Sequence, residues 1–191
     1  MKLRLLACTA LLCTLLCTLL AACGRDSGTT IAGDNGSIQL RDGVAVIHVT
    51  GQPDARVSGD GDLSIDGKPV ALTSDQRDLL KQYYVGVYKI RSEGIATGKA
   101  GAALAGQAVG SVMSGLAHGD TDKIGKDIQA QAGKVTAQAA AICDGLEQLR
   151  AAQDAVAAQV AAFRPYATLD KDKVAKCKQG MDEANRSLAT H

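Results

Sequence analysis

The pattern of apolar and polar positions changes character several times along the chain. Leu5 to Leu20 is an uncharged apolar run, and small residues follow it as far as Cys23. Gly24 to Gly36 (GRDSGTTIAGDNG) is small, polar and without period, which predicts a flexible tether. From 37 to 72 the period becomes two. Ser37–Arg41 and Val44–Thr50 flank Asp42-Gly43, while Asp62–Ile65 and Lys68–Leu72 flank Asp66-Gly67. An Asp-Gly pair supplies the two positive φ angles of a type I′ turn, so each predicts a β-hairpin. Pairing across the first turn puts Ile38, Leu40, Ala45, Ile47 and Val49 on one face; pairing across the second groups Leu63, Ile65, Val70 and Leu72. The expected product is a small antiparallel sheet that needs a cover.

The period then turns helical. Thr73-Ser74-Asp75-Gln76 has the form of a capping box, and Leu79, Leu80, Tyr83, Tyr84, Val87 and Ile90 recur at helical spacing behind it. Residues 94–119 are rich in Gly and Ala. Gly98, Ala102, Gly106, Gly110 and Ser114 repeat every fourth position, a ladder of small residues that lets another backbone approach closely. Thr121 to Phe163 reads as one long helix with a seven-residue seam. One column is Ile128, Val135, Ile142, Leu149, Val156 and Phe163; the other is Gly125, Ala132, Ala139, Leu146, Gln153 and Val160. The expected partner of this helix is the small-residue ladder, folded back at His118-Gly119-Asp120. Glycines weaken an isolated helix, so the ladder needs packing to be helical. Insertion in a bilayer and a mobile segment are the alternatives, the uncharged run Ala100–Ala117 having the shortest length that spans. Arg164-Pro165 ends the long helix, and Val174, Cys177, Met181, Ala184 and Leu188 mark a short final one.

The fold class expected is therefore α+β: a small N-terminal antiparallel sheet covered by a helix, then a close-packed helical hairpin and a short C-terminal helix. The divisions are a signal peptide (1–22), a lipidated N-terminus and tether (23–36), the hairpin sheet (37–72) and a helical region (73–191) in the same domain as the sheet.

Charge and cysteine usage sharpen the picture at the N-terminus. Lys2 and Arg4 precede the apolar run in the layout of a secretory signal. Leu20-Ala21-Ala22-Cys23 resembles the lipobox of bacterial lipoproteins. That resemblance implies that Cys23 becomes an acylated N-terminus, and Gly24 in place of Asp implies an outer-membrane destination facing the periplasm. Several acyl chains at ~0.8 kcal/mol per buried methylene hold a chain to a bilayer. The competing readings are an uncleaved membrane anchor, for which the apolar run is short, and an ordinary signal that merely leaves a cysteine nearby. Cys8, Cys13 and Cys17 leave with the signal, so Cys143 and Cys177 remain as an even pair in an oxidising space and are expected to form a disulfide. A bridge closing about 35 residues stabilises by roughly 4 kcal/mol in the chain-entropy view. A helix unbroken to Pro165 would carry the chain about 33 Å past Cys143, so the bridge would be taut. It requires Tyr166–Lys173 to be mostly extended, or the long helix to bend near Gly145.

The stretch GDLSIDGKPVALTSDQRDLLKQYYVGV, Gly61–Val87, resembles the YggN-like family of uncharacterised proteobacterial envelope proteins. Cys143-Asp-Gly-Leu, Phe163-Arg-Pro-Tyr166 and Cys177 resemble its C-terminal pattern. The resemblance implies an exported α+β envelope protein and brings no activity or catalytic residue with it.

No catalytic chemistry announces itself. The 21 Lys and Arg balance 20 Asp and Glu, and losing Lys2 and Arg4 leaves 19 basic groups, which speaks against nucleic acid or anionic lipid as the main partner. One Phe, four Tyr and no Trp disfavour a large aromatic-lined ligand cavity. His48, His118 and His191 have no metal-ligand spacing, and His48 is expected at a rim of the sheet. Gly94-Ile-Ala-Thr-Gly98-Lys99-Ala100 fails as a phosphate loop in spacing and in its missing hydroxyl. Asp62-x-Ser64-x-Asp66-Gly67 begins like a calcium loop, but Thr73 stands where the bidentate Glu belongs and Pro69 distorts the centre. The expectation is a non-enzymatic envelope structural or interaction module with no cofactor and no metal. Its partners are the membrane through the lipid, and envelope proteins or a second copy; the alternative is a membrane-active or self-associating protein using the ladder.

Overall fold

A computed structural model describes residues 30–33, 35–118 and 121–189. The expected signal (1–22), Cys23, the first part of the expected tether and residues Gly119-Asp120 of the expected fold-back lie outside the described residues. The order is β1 (Thr30–Ala32), β2 (Gly36–Arg41), β3 (Val44–Val49), β4 (Ala55–Ser58), β5 (Leu63–Ile65), β6 (Lys68–Pro69), α1 (Ser74–His118), α2 (Thr121–Gln159), a 3₁₀ helix (Ala161–Tyr166) and α3 (Lys171–Ala189). The fold is α+β, with one six-stranded antiparallel sheet in sequential strand order followed by the helices.

Both Asp-Gly turns have the anticipated geometry. φ is 48° and 73° at Asp42-Gly43 and 54° and 71° at Asp66-Gly67, positive at both central positions as a type I′ turn requires. The register pairs Ile38 with Ile47 and Leu40 with Ala45, so Ile38, Leu40, Ala45, Ile47 and Val49 are all buried on one face. Two strands are additional to the hairpins. β4 joins β3 to β5 through Ala45↔Val57 and Val57↔Leu63. β1 corrects the tether: Ile31 lies opposite Ile38 and is buried, so order begins at least by Thr30. One apolar residue aligned with an open strand edge converts the end of the tether into a strand.

The capping box closes reciprocally. The Gln76 amide N–H donates to Thr73 Oγ1 at 3.3 Å, and the Thr73 N–H donates to Gln76 Oε1 at 3.0 Å. Behind it, Leu80, Tyr83, Val87 and Ile90 form one helical stripe, fully buried against the sheet together with Leu149, Val156, Phe163 and Tyr166. The seam is buried only in its later part: Leu149, Gln153 and Val156 of α2 and, just beyond the helix, Val160 and Phe163 are buried, whereas Ala132, Val135, Ala139, Ile142 and Leu146 are half-buried.

Two helix boundaries differ from expectation. α1 is one helix of 45 residues running through the Gly/Ala-rich segment. α2 stops at Gln159, before Pro165, because Val160 leaves helical geometry (φ −113°, ψ 93°) and the 3₁₀ helix tucks Phe163 and Tyr166 into the core. This early ending shortens the path between the cysteines and relieves the tautness of the bridge.

Candidate functional site

The core ends abruptly along the helices. Among the described residues, no side chain of α1 beyond Ile90, of α2 before Cys143, or of α3 after Val174 is fully buried. The helices nevertheless continue, and α3 lies back along α2, where Gln129 Nε2 donates to the Leu188 carbonyl. At 1.5 Å per residue, Ile90 to His118 makes an arm of about 42 Å.

The root of the arm is closely built. α1 and α2 approach closely at two glycines: a Cβ on Gly86 would stand 3.1 Å from Leu149 Cδ1, and one on Gly145 would stand 3.2 Å from Ile90 Cγ1 and Glu93 Oε2. These two glycines are where close approach is needed. Cys143 and Cys177 are joined as a disulfide at this level, with Cα atoms 5.6 Å apart. One turn further, Lys178 Nζ donates to Glu147 Oε2 at 2.6 Å. Lys178 holds the Glu147 carboxyl below its usual range by hydrogen bond and charge, and Glu147 in return raises Lys178. Gln153 supplies a second fastening that sequence reading places only as a member of the seam. Its amide donates to the Leu169 carbonyl at 2.9 Å and accepts from the Leu169 N–H at 3.0 Å, fixing the connection into α3. The one polar residue in the buried half of the seam was the available signal. The Tyr166 hydroxyl donates to the Pro53 carbonyl at 2.8 Å and ties the 3₁₀ helix to the sheet.

The small-residue ladder is not the packed face. Gly98, Ala102, Gly106 and Gly110 are exposed, and among the described residues a Cβ at Gly98, Gly106 or Gly110 would meet nothing within 4 Å. The side chain of Ser114 lies outside the described residues. The physical reason is the helical period: at 3.6 residues per turn every fourth position drifts about 40° around the axis, so a strict four-residue ladder spirals off any straight interface. The line that faces inward continues Ile90 through Thr97, Gly101, Leu104 and Ala108, which are half-buried. Among the described residues, Val85, Tyr88 and Ile95 are the exposed large apolar side chains of the same helix.

Other sequence candidates occupy structural posts. His48 is exposed and its Nδ1 lies 2.9 Å from Asp54 Oδ1. Asp62 pairs with Arg77, and Asp66 sits in its turn beside Lys68. Among the described residues no group of three His, Cys, Asp or Glu could hold a metal ion, and no helix is long and apolar enough to cross a membrane.

A cleft opens at the arm's root between β1, α1, α2 and the start of α3. It encloses about 280 Å³ and its walls include Ile31, Ile90, Ile142, Leu146, Leu169 and Lys173.

The family model described as "Protein of unknown function (DUF2884)" matches residues 35–124. Over that span the chain is similar to an uncharacterised family. The matched part holds β2 to β6 and the whole of α1, so it includes five of the six strands and the helix over them but not β1 or the cysteine pair. No curated protein and no solved structure matches the chain.

Proposed function

We propose that this chain is a lipid-anchored bacterial envelope protein of the YggN-like kind, carried on the outer membrane and facing the periplasm, where it acts as a non-enzymatic interaction module. The observation that carries the reading is the ordered sheet beginning by Thr30, seven residues after the lipobox cysteine. Seven residues span at most about 25 Å, so acylation at Cys23 would hold the sheet close to a bilayer. The disulfide between Cys143 and Cys177 is in keeping with an oxidising compartment. The test is metabolic labelling of the full chain in a bacterial host with an alkynyl fatty acid. Label on the wild type that is lost in Cys23→Ser is expected. Absence of label, or label that survives the substitution, refutes the anchor.

The open ladder favours a second reading, self-association through the exposed face of α1. Sedimentation of the Cys23→Ser chain with and without Gly106→Leu separates the two: a dimer broken by the leucine supports it, and a monomer in both cases removes it.

A further inference from the structure

We infer that a pocket on the outer face of the sheet, over β4 and β5, binds a small organic carboxylate that carries a compact apolar body. The inference depends neither on acylation at Cys23 nor on self-association. Ala55, Val57 and Leu63 are buried in the core, so strand alternation turns Arg56, Ser58 and Ser64 to the opposite face. The register sets them side by side: Arg56 lies opposite Ser64, Ser64 opposite Pro69, and Ser58 opposite Val44. Together they line a pocket of about 470 Å³, and Val70 and the Asp62–Arg77 ion pair complete its walls.

Hydrogen-bond donors dominate the polar part of this lining. Arg56 makes no ion pair or hydrogen bond among the described residues, and neither does the Ser64 hydroxyl. Ser58 Oγ accepts the Asp62 N–H at 3.1 Å, which leaves its own hydroxyl hydrogen to donate. Asp62 is occupied by Arg77, so those two charges cancel and Arg56 is left uncompensated. A guanidinium fork with hydroxyls beside it meets a planar carboxylate in bidentate geometry. One positive charge matches one negative charge; a phosphate dianion would exceed it, and a cation would find no open carboxylate. Val44, Pro69 and Val70 are apolar and suit a hydrocarbon body. A cavity of about 150 Å³ accepts a six-carbon ring, so this pocket takes such a ring together with its acid group.

The experiment is an amide NMR titration of the full chain carrying Cys23→Ser with phenylacetate. Saturable shifts are expected at Val44, Arg56, Ser58 and Ser64. Phenylacetamide, the same body without the charge, should bind about tenfold more weakly. Acetate, which keeps the charge and loses the ring, should also bind about tenfold more weakly. Arg56→Gln should weaken phenylacetate about tenfold and leave phenylacetamide unchanged, and Ser64→Ala should weaken phenylacetate about fivefold. Both side chains lie outside the core, and circular dichroism checks that each variant is folded. No saturable binding, shifts centred on another part of the chain, or an Arg56→Gln chain that binds phenylacetate as the wild type does overturns the assignment. Acetate or inorganic phosphate binding as tightly as phenylacetate would make the pocket a bare anion site and overturns it as well.

Discussion

Tyr83 offers the most informative single substitution. Its side chain is fully buried, its ring meets Phe163 edge-on with centroids 5.2 Å apart, and its hydroxyl has no hydrogen-bond partner. A buried hydroxyl without a partner costs about 1–3 kcal/mol. Tyr83→Phe keeps the ring contact and removes that cost, leaving only the small void of one oxygen, so the net expectation at pH 7 is a stabilisation of about 1 kcal/mol. The pH dependence supplies a second readout. Burial pushes the Tyr83 phenol well above its ordinary value of 10.0. Above pH 10 the unfolded chain releases this proton while the folded chain retains it, so the unfolded state gains and stability falls with rising pH. The loss from this one phenol is about 1.4 kcal/mol by pH 11. Tyr166 is raised as well, by burial and then by Asp54 and Asp66, but it is present in both proteins and cancels in the difference. Urea unfolding of wild type and Tyr83→Phe at pH 7 and pH 11 should therefore show a gap that grows from about 1 to about 2.4 kcal/mol. A phenylalanine that destabilises at pH 7 would mean that the hydroxyl has a partner. A gap that stays constant to pH 11 would mean that the phenol ionises freely in the folded protein, and either result refutes the dry, unpartnered site.

The glycines give opposite expectations on one helix. Gly86→Leu should cost about 2–3 kcal/mol by forcing α1 away from Leu149, whereas Gly106→Leu should leave stability unchanged or raise it by up to about 1 kcal/mol through helix propensity; thermal unfolding of the pair checks the order, and its reversal would restore the ladder as the packed face. Replacing Cys143 and Cys177 by Ser should release α3 first, because among the described residues Val174 is the only fully buried one that helix contributes. Amide exchange should then lose protection over 175–189 while the sheet keeps its own, and a uniform loss across the chain would contradict the local clamp.

What the sequence made legible was whatever is decided locally. The two Asp-Gly turns set φ, register and buried face within a few residues, and the capping box is complete in Thr73 to Gln76. The seam of α2 was visible because a seven-residue period stays on one face for several turns. The misses share a different physics. β1 and β4 are three and four residues long and are strands only because longer strands stand beside them. Gln153 becomes a clamp only when the chain turns back and sets Leu169 against it. The cysteine pair was legible from parity, but the path between the two sulfurs was not, because it depends on Val160 leaving the helix ahead of the proline that seemed to end it.

The ladder carries the larger lesson about glycine in this fold. Gly86 and Gly145 trade helix propensity for contact, since each has a neighbour within 3.4 Å of where its Cβ would be. Gly98, Gly106 and Gly110 make the same sacrifice, about 1 kcal/mol apiece against alanine, and no described atom lies near enough to benefit. Gly101 and Gly133 also have open space at their Cβ positions, although both are half-buried, so the helices close more loosely along the arm than at its root. A bare propensity argument would fill all of these positions with alanine, and the arm would be stiffer for it. The arm's looseness thus sits in its own residues, outside the well-packed core and beyond the disulfide. If the self-association reading is right, the glycines that cost α1 stability alone must recover it when a second α1 closes on the same face. Gly106→Ala then becomes the sharper companion to leucine: it should stabilise the monomer through propensity while weakening the dimer only slightly, whereas leucine breaks the dimer by bulk. A dimer indifferent to both would place the contact elsewhere on the arm.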